Sequence, residues 1–251
     1  MVKAAVAMGF DVGGSSIKYA PVDVRSGKPQ GPLATAPWPQ PPEPPNLFDT
    51  LAALSAGHPD APVGVALPSV VQNGVVRTAA NVNTALIGID AGRELAARIG
   101  RPVVVLNDAD AAGLAEVHIG AARGVAGSVM VLTFGTGIGA AMFIGGTLVP
   151  NLELGHMEIN GVEAEHHASA RVRTAEGLDW QQWAERVNDY LDAINHLFWP
   201  ELIVIGGGVS DNYAHFGPLL RSRARLAPAQ LGPAAGVVGA ALAAAQGPKT
   251  T

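Results

Sequence analysis

The sequence predicts an α/β protein. Two observations carry that expectation: short apolar, β-branched runs alternate with helix-length stretches along the chain, and glycine-rich turns follow three of those runs. Residues 2–10, apolar but for Lys3, lead into Asp11-Val-Gly-Gly-Ser-Ser-Ile-Lys18, a strand that leaves through a tight turn. Residues 37–45 hold six prolines and read as a stiff, extended surface connection, followed by a helix beginning near Asn46 or Leu47. A strand over 63–67, a helix over 91–99, a strand over 103–106 and a helix over 109–117 come next, with Asp110 the expected cap of the last.

Residues 129–132 form a further strand that ends on Thr133-Phe-Gly-Thr-Gly-Ile-Gly139. Residues 151–173 are polar and acidic and show no regular period. A long helix over 179–198 begins at Asp179 and is ended by Pro200. Its Trp180, Trp183, Ala184, Val187, Leu191, Ile194, Leu197 and Phe198 recur at helical spacing, so they are assigned to the core. A buried strand from Leu202 then ends on Gly206, Gly207 and Gly208, and the alanine-rich stretch from Ala234 reads as a buried helix.

Composition narrows the function classes. The chain has 251 residues, 48% of them hydrophobic, which is ample for a packed core. Its net charge is −5, and its 16 basic residues are scattered rather than clustered, so no nucleic-acid partner is expected. Arg221, Arg223 and Arg225 read as a solvated face, with a polyanion site as the alternative. There is no cysteine, so neither a disulfide nor a thiolate zinc site can form, which suits a cytoplasmic location. No secretion signal and no membrane-spanning segment is read, and no membrane partner is expected.

Two glycine turns with hydroxyls and backbone N–H groups make a cradle for a phosphate chain, because glycine allows a left-handed φ and removes the Cβ that blocks close approach. Gly13, Gly14, Ser15 and Ser16 form the first turn, and Thr133, Gly135, Thr136 and Gly137 the second. Gly206, Gly207 and Gly208 let the rest of a donor run close to the backbone. Asp11 brings a carboxylate to this phosphate site, which makes chemical sense with a cation between them; Mg2+ held through water is the natural choice. Asp108 follows a strand that would aim it into a cleft, as a candidate general base or an ordinary helix cap.

These motifs, in this order, resemble the actin-like sugar kinase superfamily, and within it the ROK-family sugar kinases, most nearly the actinobacterial polyphosphate glucokinases. The resemblance spans nearly the whole chain. It rests on Asn107-Asp-Ala-Asp-Ala-Ala-Gly113 with Ala115-Glu116, the turn from Thr133 to Gly139, Val149-Pro-Asn-Leu-Glu-Leu-Gly-His156, and Phe198-Trp-Pro-Glu-Leu-Ile-Val-Ile-Gly-Gly-Gly-Val-Ser210. It implies a two-lobed, ribonuclease H-like fold, with a mixed sheet in each lobe and the active site in the interlobe cleft. The lobes are expected at 1–107, with a C-terminal helix over 234–251 packing back on them, and at 108–233.

The same resemblance implies a polyphosphate- or ATP-dependent glucokinase, phosphorylating the 6-hydroxyl of glucose or a related hexose and working as a homodimer. Asp108 is then the catalytic base; Asn81, Asn107, Asp108, Glu153, His156 and Glu165 bind sugar; and Lys18 joins the phosphate site. Zinc is not expected, since the three cysteines that ligate it with this histidine in many ROK proteins are missing here. At Asn83-Thr84-Ala85-Leu86 the chain departs from the usual Asp-Lys-Ser-Trp-like run, which implies altered acceptor choice, ATP-only donor use or a catalytically weak sugar-binding paralogue. The family also includes repressors with an added N-terminal helix-turn-helix domain, which is not expected where the phosphate strand begins almost at Met1.

Overall fold

The computed structural model describes residues 5–79 and 82–247. Two compact units are present, one formed by the residues up to Ala115 with those from Ala234 on, the other by Glu116–Pro233. In the first unit, β1 (Val6–Val12), β2 (Ser16–Asp23), β3 (Lys28–Pro29) and β4 (Ala34–Pro37) precede α1 (Pro44–Ser55) and β5 (Val63–Leu67). A small hairpin, β6 (Val71–Gln72) with β7 (Val75–Val76), leads to α2 (Ala91–Ile99), β8 (Val103–Asn107) and α3 (Asp108–His118). The strand order is β3-β2-β1-β5-β8, with β4 also paired to β2. β1 to β3 form an antiparallel meander, while β1, β5 and β8 run parallel.

The second unit repeats this plan. β9 (Ser128–Phe134), β10 (Ile138–Ile144) and β11 (Thr147–Leu152) form the meander, and β14 (Leu202–Gly206) and β15 (Arg225–Pro228) extend it in parallel, in the order β11-β10-β9-β14-β15. Between β11 and β14 lie the hairpin β12 (Glu158–Ile159) with β13 (Val162–Glu163) and the helices α4 (Ala164–Ala168), α5 (Ala170–Ala175) and α6 (Trp180–Phe198). α7 (Tyr213–Phe216) precedes β15, and α8 (Ala235–Gln246) belongs to the first unit. The stretch over 151–173 that showed no period thus contains a hairpin and two short helices, which its polar residues concealed.

Local chemistry sets the element ends. Asp179 caps α6 through a reciprocal pair: Gln182 N–H donates to its carboxylate at 2.8 Å, and Asp179 N–H donates to the Gln182 side chain at 3.0 Å. α1 starts at Pro44, two residues earlier than the hydrophobic pattern suggests, because proline at the first helical position gives up only an N–H that would be unpaired there anyway. The α6 pattern is right for Trp183, Val187, Leu191 and Ile194, which are fully buried. It fails at Leu197, which is 60% exposed near the end of the helix.

α8 is apolar on every side and buried along its length, as a helix inside a core must be. It approaches the sheet so closely that backbone touches backbone. A Cβ on Gly9 of β1 or Gly64 of β5 would strike the carbonyl oxygens of Val237 and Ala240, and one on Gly239 would strike that of Ala111. Glycine at these three positions therefore fixes the depth at which α8 sits.

In the second unit Phe134, Trp183, Tyr190 and Phe216 form the aromatic centre, with Phe134 meeting Trp183 and Tyr190 edge to face. Trp183 Nε1 donates to the Ala168 carbonyl at 3.0 Å, but the buried Tyr190 hydroxyl has no partner among the described residues. Burial also pushes its pKa upward.

Two stability outcomes are expected. Gly64→Ala forces α8 outward and costs about 1–3 kcal/mol, read as a lowered thermal midpoint; an unchanged midpoint contradicts the close packing. Tyr190→Phe removes only an unpaired polar atom, so its midpoint stays level with the wild type or rises. A clear loss of stability in that variant would mean the hydroxyl has a partner after all.

Candidate active site

In the first unit, parallel pairing gathers the expected groups at one sheet edge. Asp11 pairs with Ala66 on β5, and Leu67 with Asn107 on β8, so the first glycine turn and Asp108 leave the same end of three parallel strands. β1 and β8 flank β5, which separates their ends by about 10 Å. The turn is a hairpin closed by Gly13 N–H donating to Ser16 O at 2.9 Å, with Gly14 and Ser15 exposed at its tip. Ser16 is already in β2 and takes no left-handed φ, so it tolerates its place without the strain a glycine would relieve.

Asp11 lies across the hairpin from Lys18, with Nζ 3.9 Å from Oδ2. Burial raises the Asp11 pKa and the lysine partly offsets this. Its carboxyl group also sits against the start of α8: a Cβ on Gly236 would lie 2.7 Å from the carboxyl carbon. Glycine there makes room for the carboxylate beside a helix N-terminus, where negative charge is favoured.

The cap of α3 is Asn107, not Asp110. Its Oδ1 accepts from Ala109 N–H at 2.8 Å and Asp110 N–H at 3.0 Å, and its Nδ2 donates to Ser69 O at 3.2 Å. Asn107 is buried and committed to the backbone, while the neighbouring Asp108 is half-buried, with Oδ1 accepting from Ala109 N–H at 2.8 Å. Asn81 falls outside the described residues. The divergent segment is structural: Asn83 caps the 3-10 turn Thr84–Leu86 and bonds Pro42 O, and Leu86 is in the core.

The second unit brings its own set to one edge. β9 and β14 are parallel and in register from Leu202 with Val129 to Gly206 with Thr133, so the turn Gly135-Thr136-Gly137 and the triple glycine emerge side by side. Among Gly13, Gly135, Gly137, Gly206, Gly207 and Gly208, only Gly207 has a left-handed φ, 82°, and a Cβ there would strike the Phe134 backbone. Glycine serves mainly close approach in these turns, not unusual φ. A Cβ on Gly135 or Gly208 would meet no protein atom, which leaves both faces open to a ligand.

Glu165 packs on the second turn: its Oε2 fills the space a Gly137 Cβ would take, and it accepts from Ile138 N–H at 3.4 Å. Glu153 and His156 flank a 3-10 turn, Leu154–His156, directly after β11. His156 Nδ1 is 3.0 Å from Glu163 Oε2, and its Nε2 is 3.6 Å from Glu153 Oε2. The hydrogen bond to Glu163 raises the His156 pKa, and the same bond lowers that of Glu163. Burial raises the Glu153 pKa, opposed by His156 and reinforced by Glu165. Ligand atoms of His156, Glu163 and Glu165 lie within 4.8 Å of one another.

Three neighbours of these turns were not expected. Trp38, in the proline-rich connection, donates from Nε1 to Gly13 O at 2.6 Å, so that connection also buttresses the first turn. Arg171 N–H donates to Gly135 O at 3.0 Å. Glu163 was hidden because an acidic residue in a polar stretch carries no periodic signal. Glu163→Gln is expected to lower the His156 titration midpoint toward that of a free imidazole. Histidine NMR over pH reads it, and an unmoved midpoint would show that Glu163 does not control the ring.

Residues 7–170 match the ROK family. A polyphosphate glucokinase of Mycobacterium tuberculosis is 45% identical over 237 residues, spanning 94% of this chain and 89% of that protein. The crystal structure of the inorganic polyphosphate/ATP-glucomannokinase from Arthrobacter sp. strain KM is similar with a TM-score of 0.87 and 45% identity, over 95% of this chain and 98% of that one. A ROK family glucokinase from Streptomyces griseus, in complex with glucose and AMPPNP, gives 0.82 and 25% identity over 96% and 100% of the two chains. With the mixed sheets and glycine turns described above, these matches show that this chain belongs to the ROK family.

Proposed function

We propose that this chain is a cytoplasmic hexose kinase that transfers a phosphoryl group from inorganic polyphosphate or ATP to the 6-hydroxyl of glucose. The observation that carries it is the 45% identity, over nearly the full chain, to a polyphosphate glucokinase, joined to glycine turns at two sheet edges. Mannose is a second acceptor to test, since the Arthrobacter relative is a glucomannokinase.

Phosphoryl transfer asks little covalent work of a protein; holding the donor and hydroxyl in line and spreading charge are what count. Asp108 takes the proton as the sugar oxygen attacks the terminal phosphorus, and the phosphorus–oxygen bond to the donor breaks, leaving ADP or a shortened chain. Glu153, His156 and Glu165 bind the ring hydroxyls with a donor and acceptor set suited to groups that both give and take hydrogen bonds. Asn107 acts on sugar through Asp108, which it holds in place by capping α3. Ser15, Ser16, Thr133, Thr136 and the backbone of Gly13, Gly14, Gly135 and Gly137 hold phosphate oxygens. Gly206, Gly207 and Gly208 accommodate the rest of the donor.

Mg2+ would neutralise charge on the transferring phosphate. Asp11 fits that ion, being a single carboxylate whose burial disfavours its charge until a cation compensates, and one carboxylate suits an ion that keeps most of its water. Lys18 sets the charge balance beside it. The chain is assigned a homodimeric state; Ile144, Leu197 and Trp199, each more than half exposed, give the second unit apolar surface for a second copy.

The test is a coupled glucose-6-phosphate assay with ATP and with polyphosphate in parallel. At least one donor supports turnover, and Asp108→Asn lowers kcat by about 10²–10⁴-fold with little change in glucose KM. Failure of both donors on every hexose overturns the proposal.

A further inference from the structure

We propose that Glu116 is a positioning residue for the donor side of this site, an inference that rests on the kinase function above. Glu116 is a carboxylate only 1% exposed, and no step of the proposed chemistry uses it. Its Oε1 accepts from Gln230 N–H and Leu231 N–H, both at 2.9 Å, and its Oε2 accepts from Ala121 N–H at 2.8 Å. Three backbone donors from two separate loops thus converge on one buried acid, and a Cβ on Gly120 would strike it. Burying an acid costs more than burying an apolar side chain, and here that cost is offset by bonds that tie two loops to one helix.

What it holds is the loop after β15. Ala229 N–H donates to Ile205 O at 2.9 Å, and its Cβ lies 3.4 Å from where a Gly206 Cβ would be. The segment clasped by Glu116 is therefore the wall beside the triple glycine. Glu153 and His156 follow β11, at the opposite edge of the same five-stranded sheet. Loosening the clasp moves the donor wall and leaves Glu153 and His156 where they are.

Glu116→Gln keeps the size of the side chain but turns an N–H2 toward backbone donors, so one side of the clasp opens. The expected result is a donor KM raised about tenfold, with glucose KM within about twofold of wild type. Leu51→Ala, which empties part of the first unit's core under α1 and touches no residue assigned to the site, is the control: its lowered melting midpoint should come with no change in donor KM. Glu116→Asp, charged but shorter, replaces the glutamine variant if that fails to fold, with the same shift expected. Equal rises in both KM values, or an unchanged donor KM, overturn the role of Glu116 while leaving the kinase function standing. A wild-type protein inert with both donors overturns the function itself, and this role with it.

Discussion

Parallel strand pairing is the constraint on which the rest of this molecule depends. Once β1, β5 and β8 run the same way, whatever follows each of them must emerge at one edge, and the same holds for β9, β14 and β15. Residues nearly a hundred positions apart, such as Asp11 and Asp108, then share an edge by register alone. Open sheets of this kind place ligands beyond the carboxyl ends of their strands for that reason.

Close approach of backbone to backbone is the second theme. Gly9, Gly64 and Gly239 let α8 lie directly on the first sheet, and that depth brings Gly236 against Asp11. Gly207 serves the same end in the second unit, where the third glycine turn abuts the second. Core packing and the placing of Asp11 are thus one problem here: the helix that fills the core also supplies the wall behind its carboxylate.

Carboxylates divide by what satisfies them. Glu116 is met by backbone N–H groups, and Glu163 by His156. Asp11 and Glu153 are partly desolvated without full compensation, and desolvation leads the causes that raise the pKa of each. That contrast separates acids paired within the fold from the two that the proposed function assigns to ligands.

The strand-ending glycine runs and the apolar spacing of α6 were legible in the sequence, because period and turn chemistry act over a few residues. The choice of Asn107 over Asp110 as cap was not, since both have capping side chains and where β8 ends and α3 begins decides between them. Nor were Trp38 on Gly13, Glu163 on His156, or Glu116 on Gln230 and Leu231, which join segments 7 to 115 residues apart. The sequence by itself determined the α/β class, the turns and the family to which the motifs belong, for those are local patterns. Tertiary structure alone decided which polar groups are spent on the backbone and which are left for chemistry, because a side chain's partner depends on what folding brings beside it.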